Sequence, residues 1–502
     1  MTSRRRAATF SLVGTVVNTL IVAAQAFVLV PLYLKHIGPE LYGAWVASGG
    51  ILVWLQMTDF GVPNLLIQRV GAAAGRGDQR AAADYFASGC CVIIGISVLA
   101  AGAGVLVSRF LPAWFDVPYA DVSLLRGAFL LGLCGSVIGL MSNALVGLAR
   151  ALQQTGPVSI GLVVSSAAGF GTTLALIVAG SGLWAIPVGM VVRAGGILLA
   201  GSAYCLVALR RTFAWSLSVR KRMVQEFLVV GPPSTLGTVG YSAAGQAEVT
   251  LVAIVVGTPA GLVYSLTRRA ADVIYAVIDV IGHASYGGYA HLAATEGARR
   301  RQQVLQQLLS LRLSLAVAAG VAVLALNKSL VDLWVGDAYY GGSLLNLLIV
   351  LQVLVTGQSF LLNLMFRASG SVLRGSWLLS TEAAVRFGLA AMLAAWIGAW
   401  GVPCAGIASG LCFGFLYASG LGPFSALRHL GRRFSRQAPT IGRFMVLAGG
   451  AYAGWAYGTG SWVVLAVAAG GCVLGAGALQ WTLDGSLRSA WGETKSVLVR
   501  HP

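Results

Sequence analysis

The sequence predicts an all-α polytopic membrane protein with about 14 transmembrane helices. Of the 502 residues, 57% are hydrophobic and only 10% are charged, and the mean hydropathy is +0.81. Soluble proteins carry roughly 25% charged residues, so this chain has too little polar surface to cover its apolar residues in water. The apolar residues also form blocks of about 20 residues or more, the length that a helix needs to cross a bilayer.

The chain contains fourteen such apolar blocks, separated by short loops that leave no room for a soluble domain. The eighth block is unusually polar and the thirteenth is short. The predicted spans are 9–34, 42–62, 84–108, 123–148, 157–179, 183–208, 226–256, 261–287, 306–331, 343–366, 375–397, 401–424, 441–458 and 461–482.

The distribution of basic residues predicts the orientation. With the N-terminus in the cytoplasm, most of the 34 Lys and Arg residues fall in inner loops and tails, and Arg312 is counted among them. The outer loops hold only Lys35, Arg109, Arg126 and Lys328. This asymmetry follows the positive-inside rule. It predicts a cytoplasmic (inner) membrane protein with both termini inside, and it explains the net charge of +18 without nucleic acid.

A basic connection from Arg210 to Arg222 divides the first twelve spans into six and six. Many transporters consist of two such halves with the site between them. We therefore predict an N-lobe at 1–209 (spans 1–6), a basic cytoplasmic linker at 210–225 and a C-lobe at 226–428 (spans 7–12). Residues 429–502 add a basic loop, spans 13 and 14, and a cytoplasmic tail.

No enzyme signature is present. The sequence contains no Gly-Lys-Ser/Thr phosphate loop, no G-x-S-x-G and no H-E-x-x-H. Its seven cysteines fall within apolar blocks without metal-ligand spacing. We therefore predict that the protein is not an enzyme and holds no metal or cofactor.

Ionisable residues inside spans are the candidate site residues, because each is costly in hydrocarbon and should face a partner or a watery cavity. Span 8 is the richest in them. Arg268, Asp272, Tyr275 and Asp279 recur there at helical spacing and so share one face. This face is either an internal salt bridge or the wall of a polar cavity. Arg269 adds positive charge beside it, which favours the cavity.

Other spans carry further candidates, each with a structural alternative. The charged candidates are Asp59, Arg193, Glu248 and the i,i+4 pair Glu382 and Arg386. Asp59 could bind a proton, or it could bond to the backbone near Pro63. Polar stripes in spans 1 and 10 either join helices or line water; they include Asn18, Gln25, Gln352 and Asn363.

Arginines together with amides suit a large anionic, hydroxyl-rich substrate. Arginine binds phosphate through a planar fork of donors, and sugar hydroxyls need amide and hydroxyl partners. We assign Arg268, Arg269, Arg386 and the four amides to substrate binding. We assign the acids Asp59, Asp272, Asp279 and Glu382 to the cavity or to coupling with protons or sodium.

Five motifs in order along the chain resemble Wzx-type polysaccharide flippases of the multidrug/oligosaccharidyl-lipid/polysaccharide exporter superfamily. They are PLYLKHIGPELYGAW, WLQMTDFG with LLIQRV, AGLVYSLTRRAADV, LVDLWVGDAYY and FRASGSVLRGSW. The resemblance implies two six-helix lobes, a cationic cavity and alternating access. It implies an oligosaccharide on undecaprenyl pyrophosphate as substrate. It matches Arg268, Arg269 and Asp272 to the family's polar eighth span, and Asp59 to its second-span aspartate.

Three other functions stay open. A cation-coupled drug or metabolite antiporter of the same fold would favour a more acidic or aromatic cavity. A membrane glycan polymerase or transferase would need a longer outer loop. A scaffold in a polysaccharide-assembly complex would need no cavity. The predicted partners are the lipid-linked oligosaccharide, membrane lipid and polysaccharide-assembly proteins, with no nucleic acid.

Overall fold

Every regular element in the described part of the chain is helical, which confirms the predicted all-α class. The computed structural model describes residues 18, 21, 24–25, 27–57, 59, 61–115, 119–152, 156–211, 217–295 and 297–420. The helices are α1 Phe27–His36, α2 Pro39–Met57, α3 Val62–Gly75, α4 Gln79–Ser108, α5 Leu111–Trp114, α6 Tyr119–Ala151, α7 Gly156–Val178, α8 Ala185–Arg211, α9 Lys221–Val255, α10 Thr258–Thr295, α11 Ala298–Val335, α12 Ser343–Ala368, α13 Val372–Ile397 and α14 Gly401–Gly420.

Seven helical stretches are long and apolar enough to cross a membrane, judged by length and composition within the described residues. One of them, Val372–Ser419, covers both predicted spans 11 and 12. The polar eighth span is a single helix, α10, which has 38 residues. Predicted spans 13 and 14, and most of span 1, lie outside the described residues.

The described residues form two compact units. Unit 1 contains the residues up to Leu262 together with Ser376–Ala399, and unit 2 contains Val263–Gly375 and the residues from Trp400. α9 and most of α13 belong to unit 1, and the division into an N-lobe and a C-lobe at residues 210–225 stays a prediction. A buried ion pair joins these two helices, and such a contact between distant spans has no signature in local sequence.

The core of unit 1 lies among α3, α4, α6 and α9. Leu66, Ile93, Leu148 and Phe227 are almost fully buried in one apolar cluster there. Small residues let the neighbouring helices approach closely. At Gly135 on α6, an added Cβ would lie 3.3 Å from the backbone of α8. Glycine at this position therefore permits the close packing of α6 against α8.

The outward faces of the helices are apolar. Leu99 on α4 and Trp396 on α13 are 74% and 77% exposed. A soluble protein of this size would cover such residues with polar neighbours, whereas lipid is itself an apolar solvent. This surface supports a multi-pass membrane protein.

Predicted span 2 is interrupted. α2 ends at Met57 and α3 begins at Val62, with Gly61 at φ +70° in the left-handed region. The Gly61 N–H donates to Asp59 Oδ1 at 2.9 Å. Residues with a Cβ reach this backbone region only at a cost of about 1–2 kcal/mol, so the glycine permits the break. Asp59 thus satisfies backbone at the interruption, at Gly61 rather than near Pro63.

Candidate functional site

The charged face of α10 in unit 2 is the centre of the predicted site. Arg268 Nε donates to Asp272 Oδ1 at 2.7 Å, one helical turn away. The Arg268 side chain is 13% exposed and the Asp272 side chain is 40% exposed. The next residue, Arg269, has a buried Nε with no hydrogen-bond partner in the part of the chain that the structure describes. Asp272 therefore forms its ion pair with Arg268, and Arg269 lies outside that pair.

A second ion pair follows two turns further along α10. Arg312 on α11 donates to Asp279 Oδ1 from Nη2 at 2.7 Å and from Nε at 3.1 Å. The same guanidinium donates to Gln358 Oε1 at 3.3 Å. Arg312 is 1% exposed and Asp279 is 35% exposed. The sequence analysis missed this role for Arg312, although its position within predicted span 9 was a signal for it.

The exposure of Asp272 and Asp279 indicates what surrounds their side chains. Asp272 and Asp279 each lie more than ten residues from either end of α10 and within predicted span 8. A carboxylate with a third or more of its surface exposed to hydrocarbon would be costly, so such groups face protein or water. We infer that this face of α10 borders water. Tyr275, on the same face, is buried and donates to the Ala316 carbonyl at 2.8 Å.

Arg386 lies in a different environment, inside unit 1. It forms an ion pair with Glu248 of α9, and the side chains are 5% and 2% exposed. Its guanidinium also lies 5.7 Å from the centre of the Tyr241 ring. Glu382, one turn earlier on α13, is fully buried. These contacts make Arg386 a buried link between helices, and substrate binding by it stays a prediction.

The four predicted amides contact neighbouring helices. In unit 1, Ser166 Oγ donates to Asn18 Oδ1 at 2.6 Å, and Gln25 Nε2 donates to the Ser166 carbonyl at 3.0 Å. In unit 2, Asn363 Nδ2 donates to the Gly375 carbonyl at 2.8 Å. Gln352 is fully buried against Gly406. Their role in substrate binding also stays a prediction.

No group of three or more His, Cys, Asp or Glu side chains that could hold a metal ion occurs among the described residues. The acids on α10 pair with arginines instead. An arginine fork beside a carboxylate can bind an anion or exchange partners, whereas a metal site needs several donors with lone pairs.

The fold matches solved transporter structures. No protein-family model and no curated protein sequence matches the chain. An inward-facing multidrug resistance MATE family transporter of the MOP superfamily matches with a TM-score of 0.60 at 15% identity, over 80% of this chain and 94% of that one. An outward-facing MATE family transporter of the MOP superfamily matches with a TM-score of 0.56 at 17% identity, over 83% of this chain and 94% of that one.

A third solved structure is an MOP superfamily transporter from Pyrococcus furiosus Vc1, whose reverse polarity of the binding pocket suggests a different function. It matches with a TM-score of 0.59 at 16% identity, over 84% of this chain and 95% of that one. At these identities the likeness shows the fold. It confirms the predicted fold class.

Proposed function

We propose that this protein is a flippase that moves a lipid-linked oligosaccharide, carried on undecaprenyl pyrophosphate, across the cytoplasmic membrane by alternating access. The solved structures that share its fold are transporters rather than enzymes. The inward-facing and outward-facing forms among them are the two states that alternating access requires. Transport is therefore the function class that the fold favours.

The charged face of α10 carries the proposal. Its two aspartates lie within predicted span 8 and are 40% and 35% exposed, which is tolerated where a wet pathway crosses the membrane. Arg268 pairs with Asp272, and the adjacent residue Arg269 adds a second positive charge. A guanidinium with unused donors suits the pyrophosphate, because Arg binds phosphate in a planar, bidentate geometry.

The polarity of the site separates this proposal from its rival. A cation-coupled drug or metabolite antiporter is favoured by the exposure of Asp272 and Asp279, since both could attract a cation. The multidrug transporters that share the fold point the same way. Each aspartate, however, already has an arginine partner. The Pyrococcus transporter with reversed pocket polarity is a precedent for a different function on this fold.

The proposal leaves the coupling and the partners as further parts to test. Asp272 and Asp279 would exchange between arginine and a proton or sodium ion during the cycle. The other partners we propose are the surrounding lipid and polysaccharide-assembly proteins at the same membrane.

The test is translocation by purified protein in liposomes that contain a fluorescent lipid-linked oligosaccharide. We expect the wild type to redistribute the lipid between leaflets and Arg269→Gln to slow this at least tenfold. Arg109→Gln, which removes a charge from a predicted outer loop, is the matched control and should keep the wild-type rate. The variant Arg268→Ala with Arg269→Ala should abolish translocation without loss of expression.

Two results would contradict the proposal. One is an unchanged leaflet distribution with wild-type protein under both proton and sodium gradients. The other is wild-type translocation by the double arginine variant. Uptake of a cationic dye that depends on Asp272 and not on Arg269 would instead support the antiporter.

A further inference from the structure

Unit 1 contains a cavity that none of the assigned site residues lines. Its volume is about 290 Å³, which is enough for about ten water molecules at about 30 Å³ each. The walls come from α6, α7 and α8, with Gln56 at the end of α2. On α6 the lining runs from Gly135 to Arg150, about 22 Å along the helix axis at 1.5 Å per residue.

The polar lining of this cavity is basic and neutral. Arg193 and Arg150 are its two charged residues, and none of the lining residues described by the structure is acidic. Asn143 and Ser159 add an amide and a hydroxyl. A cationic lining without a carboxylate is an electrostatic trap for an anion, because field lines are focused in a cleft with low-dielectric walls.

Within the described part of the chain, no ion-pair partner accounts for the position of Arg193. It lies in the ninth position of the 27-residue helix α8, well inside the span. Its Nε is buried and has no hydrogen-bond partner among the residues that the structure describes. An arginine at this depth normally pairs with an acid or faces a water-filled space. The cavity is that space.

The helix packing holds Arg193 against one wall and leaves the opposite wall open. Around Arg193, α7 and α8 are in close contact: an added Cβ at Gly169 would lie 2.8 Å from the Cβ of Arg193. Across the cavity, Gly139 of α6 has no atom within 4 Å of the place where a Cβ would be. The missing side chain at Gly139 therefore contributes directly to the open volume.

We propose that this cavity is a binding site for a phosphate or pyrophosphate group, with Arg193 as its principal ligand. The volume is at the lower end for ligand pockets, so it accepts a small anion rather than a sugar chain. The guanidinium provides the charged fork, and Asn143, Ser159 and Arg150 provide further donors. The anion can come from a free phosphate compound or from a phospholipid headgroup, and both present the same oxygens.

The test measures binding to the purified full-length protein by calorimetry, with two probes. Inorganic pyrophosphate is added to protein in neutral detergent, and a short-chain polyprenyl phosphate is added to protein in uncharged phosphatidylcholine nanodiscs. We expect saturable binding of at least one probe, weakened at least tenfold by Arg193→Gln. Arg126→Gln, an exposed arginine on α6 outside the cavity, should bind as the wild type does.

A second variant makes the test independent of any folding defect at Arg193. Gly139→Leu should fill the cavity and reduce binding at least tenfold, with an unchanged thermal melting curve. Gly95→Leu makes the same change on α4, where an added Cβ also meets no atom within 4 Å, and should leave binding intact. Binding of the polyprenyl phosphate alone would assign the site to a lipid headgroup, and binding of both would assign it to the phosphate group itself.

The proposal is overturned if neither probe binds, or if binding survives both Arg193→Gln and Gly139→Leu. These measurements involve no translocation, so their outcome is separate from that of the flippase proposal. Loss of transport in the α10 variants with intact pyrophosphate binding would leave the unit 1 site standing.

Discussion

Removal of one partner from the Glu248–Arg386 ion pair should strongly lower the stability of unit 1. Both side chains are at most 5% exposed, so either charge would be left without water. Removing one member of such a pair costs about 3–5 kcal/mol, most of it from the uncompensated buried charge. We therefore expect Arg386→Met to lower the free energy of unfolding by about 3–5 kcal/mol. The lost contact with Tyr241 is part of this loss.

The apolar double variant tests this reasoning. In Glu248→Leu with Arg386→Met, neither member of this pair is left without the other, and replacement of a buried pair by apolar residues is often neutral or stabilising. The double variant should recover to within about 1 kcal/mol of the wild type, or exceed it. The assay is unfolding by sodium dodecyl sulfate in mixed micelles, followed by tryptophan fluorescence. Arg374→Met, at an exposed site on the same helix, is the control.

Two results would refute this account. The first is an Arg386→Met protein that unfolds like the wild type, which would mean that water reaches Glu248. The second is a double variant as unstable as the single one, because then the loss would come from packing and not from charge. If the double variant is stable but does not transport, that result would support the prediction that Arg386 binds substrate.

Three further outcomes follow from the packing. Gly189→Val should prevent stable expression, measured by size-exclusion chromatography, because its Cβ would overlap Thr173 Oγ1 where α7 and α8 touch. Leu66→Ala should lower the free energy of unfolding by about 2–5 kcal/mol in the micelle assay, since it empties a fully buried site. Leu99→Ala, at a 74% exposed position, should change it by less than about 0.5 kcal/mol. Asn327→Ala should cost about 1–3 kcal/mol in the same assay, because its amide donates two buried hydrogen bonds.

Features that repeat locally could be predicted from the sequence. Apolar block length predicted the helices, and the four-residue spacing of Arg268 and Asp272 made their ion pair one of the two alternatives for that face. These succeed because a helix places residues four apart on one face regardless of the rest of the fold. The polar character of span 8 was likewise visible in its own residues, and it corresponds to one continuous helix, α10.

Partners that are distant in sequence could not be predicted in this way. Glu248 and Arg386 are separated by 138 positions, and Arg312 reaches Asp279 from the next helix. Hydrophobic periodicity predicts which face of a helix is buried, but it does not predict which residue of another helix contacts that face. The same limit applies to Arg193. Its position within an apolar span predicted a buried charge, but the cavity beside it depends on Gly139 of α6.

The break between α2 and α3 has a mechanical consequence. The backbone ladder is already interrupted at Gly61, and the Asp59 carboxylate holds the N–H of that glycine. A change in backbone angle at Gly61 would act on the Val62 N–H bond to the Asp59 carbonyl, at 3.0 Å, whereas a bend inside either helix would act on the i to i−4 bonds that hold the helix together. The angle between α2 and α3 therefore depends on the glycine, because a residue with a Cβ at position 61 would resist the left-handed conformation that sets it.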